Sequence, residues 1–208
     1  MKDYNQEYFY VRRKGINFPS IDYVNWPDSD LDYLTDVYDG EKVIPFKFGE
    51  PMPNNLRLAD LHGCAYKMVC SEIIKKALEE MNLKGVQFIP ATIRDHTDKV
   101  IEGYYIIHIY NLIECMNMDI SKWRSPRRTP EIIQSIDKLV LDNEKLDVIP
   151  LEDRLVFALK EHPLTTLYHR SVIDKILSVT PTGVGVYCLA DWDGSNPFED
   201  EFWEYIMS

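Results

Sequence analysis

No stretch of this chain approaches the roughly 18 consecutive apolar residues that a membrane-spanning helix requires, so no spanning helix is expected. Basic residues are scarce. The 23 Lys and Arg stand against 34 Asp and Glu, for a net charge of −11 and a sequence pI of about 4.9. Phosphates of a nucleic acid or an anionic membrane would meet net repulsion except at a local basic patch, so a cationic partner suits the chain better. Cysteine is sparse too. Cys64, Cys70, Cys115 and Cys188 in a chain without a secretory signal read as reduced thiols and not as a disulfide framework. Tracts of Gln, Ser or Pro are absent and 45% of the 208 residues are hydrophobic, which excludes disordered, collagenous and fibrous classes and leaves one or two small folded domains. Residues 1–15 place no apolar run behind their first charges, so no signal peptide is expected and the expected location is the cytoplasm.

What is present reads as an alternation of strands and helices. Residues 4–13 are rich in Tyr and Phe and end in Arg12, Arg13, Lys14 and Gly15, which predicts an early strand. Residues 22–41 carry seven acids and no Lys or Arg, interleaved with Tyr23, Trp26, Tyr33 and Tyr38. Within them Leu31, Leu34 and Val37 predict a short amphipathic helix, whose opening acids Asp28, Asp30 and Asp32 suit its dipole. A strand at 42–48 is broken by Pro45. Gly49, Pro51, Pro53, Asn54 and Asn55 then form an irregular connector. If the chain divides, it divides there, into an N-terminal region of residues 1–55 and a main domain of residues 56–208.

Beyond the connector the sequence echoes itself. An extended stretch at 66–70, Ser71, the helical pattern Ile73, Ile74, Ala77, Leu78 and Met81, Gly85 and a strand at 86–93 form one unit. An extended stretch at 167–170, Ser171, the pattern Val172, Ile173, Ile176 and Leu177, Gly183 and a strand at 184–189 form the other. In each, the serine is positioned to cap the helix and the glycine to supply the left-handed turn out of it. Residues 103–110 are apolar, β-branched and aromatic, and predict a central strand. Residues 121–130 form a basic loop around Trp123. The runs at 156–159 and 164–169 predict a hairpin around Glu161, His162 and Pro163, and residues 191–208 form a second acidic, aromatic segment with six acids and no basic residue.

The candidates for chemistry each meet a departure from their pattern. Asp28, Asp30, Asp32, Asp36 and Asp39 fall in a calcium-loop frame, but Tyr33 stands where the loop turns on glycine and Asp39 where a bidentate Glu is expected, which favours a solvated acidic helix. His62, Cys64 and Cys70 lack a usual zinc spacing. Ser195 lies in a turn sequence, as do Asp191 and Asp193, and Cys64 with His62 is a loose nucleophile pair. Gly183 and Gly185 follow a helix and lack a third glycine, against a dinucleotide site. His96 reads as part of a polar loop and His108 as a core histidine. No cofactor and no metal are expected. Arg124 beside Trp123 suits base stacking, but the overall charge favours a solvated loop or a salt-bridge donor. The acidic aromatic segments point instead to a surface for a basic protein. The candidate contacts are Asp28, Asp30, Asp32, Asp36, Tyr33, Trp192, Glu199, Asp200, Glu201 and Trp203.

Several of these pieces also follow a familiar order. Ser71 opens a helix, Leu83, Lys84, Gly85, Val86, Phe88, Ile89 and Pro90 lead into a strand, and Tyr104, Tyr105 and Ile106 precede Cys115, Met116, Asn117, Met118 and Asp119. Residues 136–142, Val156, Phe157 and the unit from Ser171 to Gly183 follow. Over residues 66–189 this resembles an immunity-protein family of bacterial polymorphic toxin systems, immunity protein family eleven, formerly a domain of unknown function. The resemblance implies a cytoplasmic antidote that binds a cognate toxin domain and blocks it sterically, and it brings no catalytic residues. Residues 1–60 and the acidic tail carry nothing of that resemblance. The expected fold is α+β, a mainly antiparallel or mixed sheet with a few flanking helices. The expected function is an immunity protein acting by stoichiometric occlusion on a toxin with a basic surface. The alternatives are a hydrolase or transferase with a site assembled from separated Asp, His and Cys residues, or a structural subunit with a large exposed apolar patch.

Overall fold

The structure is a computed structural model and describes residues 2–15, 18, 20–49, 57–129 and 132–192. Its strands run in chain order as β1 (Tyr8–Arg13), β2 (Ile21–Tyr23), β3 (Ile44–Phe48), β4 (Leu61–Cys64), β5 (Lys67–Ser71), β6 (Val86–Arg94) and β7 (Val100–Ile109). They continue as β8 (Leu112–Ile113), β9 (Lys122–Arg124), β10 (Ser135–Lys138), β11 (Val156–Leu159), β12 (Thr166–His169) and β13 (Val184–Cys188). The α-helices are α1 (Glu72–Glu79), α2 (Asn143–Asp147) and α3 (Arg170–Ser178). One sheet has the order β13-β1-β12-β11-β8, a second β2-β3-β6-β7-β5-β4, and β9 and β10 form a separate hairpin. Neighbouring strands are antiparallel except for the pairs β8–β11 and β3–β6. The fold is therefore α+β with mixed sheets, and the run at 103–110 lies inside a sheet, between β5 and β6.

Strand periodicity explains how the core divides. Because side chains alternate between the two faces of a sheet, Phe9 and Val11 of β1 enter one apolar cluster while Tyr8 and Tyr10 enter another. In the larger sheet, Tyr105 and Ile107 of β7 point to the cluster that holds Phe9, and Tyr104 and Ile106 to a third. The shared cluster also contains Ile74 and Leu78 of α1 and Val172, Ile173 and Ile176 of α3. Both sheets are thus buried on both faces, with helices α1 and α3 packed in the common layer. Strands in that position read as continuous apolar runs and not as alternating ones, which is why residues 4–13 alternate so poorly.

The internal echo is a repeated piece of topology. In the first unit β5, α1 and β6 follow one another, and β7 sits between the two strands, antiparallel to both. In the second unit β12, α3 and β13 follow one another, and β1 sits between them in the same way. Each is a split βαβ unit. Ser71 stands at the N-cap of α1 as expected, but its Oγ donates to Asp60 Oδ1 at 2.8 Å and not to the helix, and α3 is capped by His169 and not Ser171, with His169 Nδ1 accepting from Ser171 N at 3.2 Å. The left-handed turns after the helices fall on Asn82 and Thr180, while Gly85 and Gly183 hold positive φ just before the following strands.

Elsewhere local chemistry shifted the expected elements. Residues 4–6 are a 3₁₀ turn before β1, and the helix expected over residues 31–38 is a 3₁₀ helix over Trp26–Tyr33. Pro27 enters at its first turn, and the Ser29 hydroxyl takes the Trp26 carbonyl at 2.7 Å, which competes with an α-helical ladder. Pro45 lies inside β3, where its carbonyl accepts from Val24 N at 3.0 Å and its missing N–H faces the end of β2. Part of the basic loop is strand: Trp123 stands opposite Ile136, and both pack on the core cluster of Tyr8 and Tyr10.

At Gly183 (φ +74°) a Cβ would lie 2.6 Å from Ala59 Cβ and 2.9 Å from the Leu61 carbonyl, whereas at Gly103 (φ +83°) it would meet nothing within 4 Å. Gly103→Ala should therefore cost only the backbone term of about 1–2 kcal/mol, and Gly183→Ala clearly more, measured as loss of unfolding free energy in urea. Equal losses at the two sites would contradict this packing.

Candidate functional site

The outer face of the larger sheet is covered by residues 24–43, and polar side chains seat that cover. Gln87 of β6 and His108 of β7 stand directly opposite one another. Gln87 grips the main chain of Tyr38 twice, donating from Nε2 to its carbonyl at 2.8 Å and accepting its N–H at Oε1 at 3.0 Å. His108, wholly buried, places Nε2 2.7 Å from the Asp36 carbonyl and Nδ1 3.4 Å from Lys67 Nζ on β5. Since a carbonyl only accepts, Nε2 carries the hydrogen and Nδ1 presents its lone pair to the ammonium. Burial and then Lys67 hold the His108 ring below the ordinary histidine value of 6.5, against the opposing pull of the Asp36 carbonyl.

A second anchor lies at the 3₁₀ helix. The Tyr23 hydroxyl donates to Asp32 Oδ1 at 3.0 Å, and Asp28 pairs with Lys42 at 2.6 Å. Burial raises the Asp32 carboxyl above the ordinary range, opposed by the Tyr23 bond and the Lys67 charge. Burial also lowers Lys67, opposed by Asp32. Two carboxylates expected at the partner surface, Asp28 and Asp32, are thus turned inward, 9% and 6% exposed, and serve as ties for their own segment.

What those ties leave outside is an apolar and acidic surface. Trp26 is 86% exposed, Tyr33 67% and Val37 55%, and Val43 is exposed beside them. Asp30, Asp36, Asp39 and Glu41 are exposed within the same stretch. The Tyr33 ring lies 6.0 Å from that of the exposed Tyr66 on the β4–β5 turn, so the surface extends onto the sheet's edge hairpin. A rigid seat under exposed aromatics lets them bury area in a complex at small entropic cost.

The remaining candidates are placed differently. Trp192 is half-buried, 5.2 Å from the Tyr10 ring and 5.4 Å from that of Tyr187, on the other sheet's outer face. Glu199, Asp200, Glu201 and Trp203 lie outside the described residues. His62 is buried and its Nε2 accepts from Ala59 N at 3.1 Å. Cys64, Cys70 and Cys115 are buried, and burial pushes the Cys64 thiol up to about 12 and the other two upward as well. Among the described residues no three His, Cys, Asp or Glu side chains gather as metal ligands, and no helix is long and apolar enough to cross a membrane.

A family model described as Immunity protein family (Imm11) matches residues 25–191. The chain belongs to the Imm11 immunity protein family. Among curated proteins no sequence matches it. The Imm11 match starts at Asn25, far ahead of the resemblance seen from residue 66, and so takes in residues 25–41 of the acidic aromatic segment, with Asp22 and the anchor residue Tyr23 just outside it. It stops at Asp191, the first residue of the second acidic segment.

Gln87 and Lys67 stand in stretches that read only as strand, and His108 reads as a core histidine. A signal was available. Gln87 shares the strand phase of Ile89, Ala91 and Ile93, and His108 that of Tyr104 and Ile106, so two polar residues interrupt otherwise apolar faces of paired strands.

Tyr23→Phe removes the hydroxyl that bonds the buried Asp32 carboxylate and should cost about 1–3 kcal/mol in urea unfolding, whereas Asp30→Asn on the open surface should stay within about 0.5 kcal/mol. Burial also lowers the His162 and His169 rings. Below the ordinary value of 6.5 the unfolded chain therefore takes up protons that the folded chain resists. Stability should be full above that pH and fall as the pH drops toward the lowered folded values, read as a decline in Tm between pH 7.5 and 5.5. A Tm that stayed flat or rose would contradict it.

Proposed function

We propose that this protein is an antidote that neutralises a cognate bacterial toxin by stoichiometric binding, and that it engages a basic surface of that toxin through the face formed by residues 26–43. The observation that carries this reading is the exposed Trp26, Tyr33 and Val37 set among Asp30, Asp36, Asp39 and Glu41 on a seated segment. Membership of an immunity family supports the role. The chemistry supports the mode: aromatics provide the buried anchor, and carboxylates steer a cationic partner and raise its rate of association. If the toxin acts on nucleic acid, the same carboxylates occupy the places of substrate phosphates. The protein then acts in the cytoplasm, where such a toxin would strike. The second acidic segment, with Glu199, Asp200, Glu201 and Trp203, is proposed as an additional contact.

The test is co-expression with a candidate toxin domain, followed by isolation of the complex. Growth rescue with a one-to-one complex is the expected result. Trp26→Ala should weaken the complex by about 2 kcal/mol, roughly thirtyfold in Kd. Asp30→Lys with Asp36→Lys should slow association and flatten its dependence on salt. Toxicity without rescue would defeat the reading. So would a single His or Cys substitution that abolished protection while leaving fold and complex intact, and that result would favour an enzyme.

A further inference from the structure

Residues 34–41 belong to no helix or strand, so the course of Asp36, Val37 and Tyr38 is set by the side chains beneath them. Gln87 and His108 provide that seat, side by side on paired strands. Their chemistry differs in one respect. Gln87 is neutral at every pH, whereas the His108 imidazole can take up a proton.

The surroundings of His108 make its protonation costly for a geometric reason. The ring is wholly buried, and its Nδ1 lone pair faces Lys67 Nζ at 3.4 Å. A proton on Nδ1 would turn that contact into two facing cations. The Asp36 carbonyl binds the imidazolium more strongly than the neutral ring and offsets part of this cost, but burial and the facing ammonium outweigh it. Around the ring stand Lys67 from β5, the neutral Gln87 from β6, Tyr110 with its ring 5.9 Å away, and the Asp36 main chain from the covering segment. Asp32 and, through it, Tyr23 sit beyond Lys67, whose charge Asp32 favours. An imidazolium in this setting is relieved by water, and water reaches it when residues 34–41 lift from the sheet.

We propose that His108 is a positioning residue for the acidic aromatic face and makes that face acid-labile: protonation of the ring unseats residues 34–41 and the bound partner is lost. The consequence for the partner rests on the reading that this face binds the toxin; the coupling of ring and segment does not.

The experiment separates the two. Hydrogen exchange read by mass spectrometry on the free, full-length protein at pH 7.5 and 5.5, corrected for intrinsic exchange rates, should show residues 34–41 losing about tenfold in protection at the lower pH, since a ring freed to water has the ordinary histidine value of about 6.5, one unit above pH 5.5. Strands β6 and β7 should keep theirs. His108→Gln keeps a donor for the Asp36 carbonyl but cannot charge, and it should retain protection at both pH values. Lys67→Met should shrink the loss. Unchanged protection in the wild-type protein, or a His108→Gln variant that loses it in step with wild type, would overturn the proposal. Should His108→Gln fail to fold, an NMR titration of the wild-type protein decides: the His108 ring and the Val37 and Tyr38 amides should share one midpoint, and separate midpoints would overturn the coupling. With the coupling in place, toxin affinity should fall about tenfold over the same interval in wild type and hold in His108→Gln. A complex indifferent to pH despite an unseated segment would show that the toxin binds elsewhere, which would defeat the binding reading and the partner consequence together.

Discussion

Both sheets of this protein are buried on both faces, and that constraint governs the rest of the molecule. A sheet with apolar residues in both phases needs a cover on each side. The two sheets and the helices α1 and α3 supply one cover mutually, in the shared layer of Phe9, Ile74, Ile107 and Val172. The two outer faces have to be closed by chain outside the split βαβ units. Residues 24–43 close the face of Phe46, Ile89 and Ile106, and residues 113–129 and 132–149 close that of Tyr8, Phe157 and Leu167.

These covers contain little ladder of their own, and buried polar groups tie them down. On the larger sheet the ties are His108, Gln87 and the Tyr23–Asp32 pair. On the smaller sheet the tie is Arg154, 5% exposed, which donates to the Ile149 carbonyl and to the hydroxyls of Tyr8 and Tyr4, while Tyr4 donates in turn to Asp147. A buried donor or acceptor without its partner costs more than the bond itself contributes, so such ties hold a segment to one course. The candidate binding face inherits its rigidity from them. Its acids divide accordingly: Asp28 and Asp32 stabilise the seat, and Asp30 and Asp36 stay available at the surface.

Most of the elements were legible because their signals are local. The alternation of helical period and β-branched run placed α1, α3, β6, β7, β11 and β12, and the punctuation by Ser and Gly exposed two copies of one unit. Ser71 holds the N-cap position of α1 as expected, but its hydroxyl reaches for Asp60, eleven residues upstream, and His169 caps α3 in place of Ser171. The helix expected over residues 31–38 was lost to Pro27 and Ser29, whose local bonds outweigh a weak amphipathic pattern. The acidic aromatic character of residues 22–41 was plain in the sequence, but the partition of its acids was not. Asp28 and Asp30 are two residues apart in the same 3₁₀ helix, and their neighbours in sequence do not distinguish them.

By itself, then, the sequence determined the class of fold, the repeated strand–helix–strand unit, the net negative charge and the stretch of chain on which aromatics and acids concentrate. Each of these depends on composition or on spacing along a few turns. The tertiary structure decided which faces are inner and which outer, which carboxylates are ties and which are free, and that Lys67, His108 and Gln87 from three adjacent strands meet beneath residues 36–38. Those outcomes depend on strand order and register, and residues 67, 87 and 108 become neighbours only when β5, β7 and β6 pair.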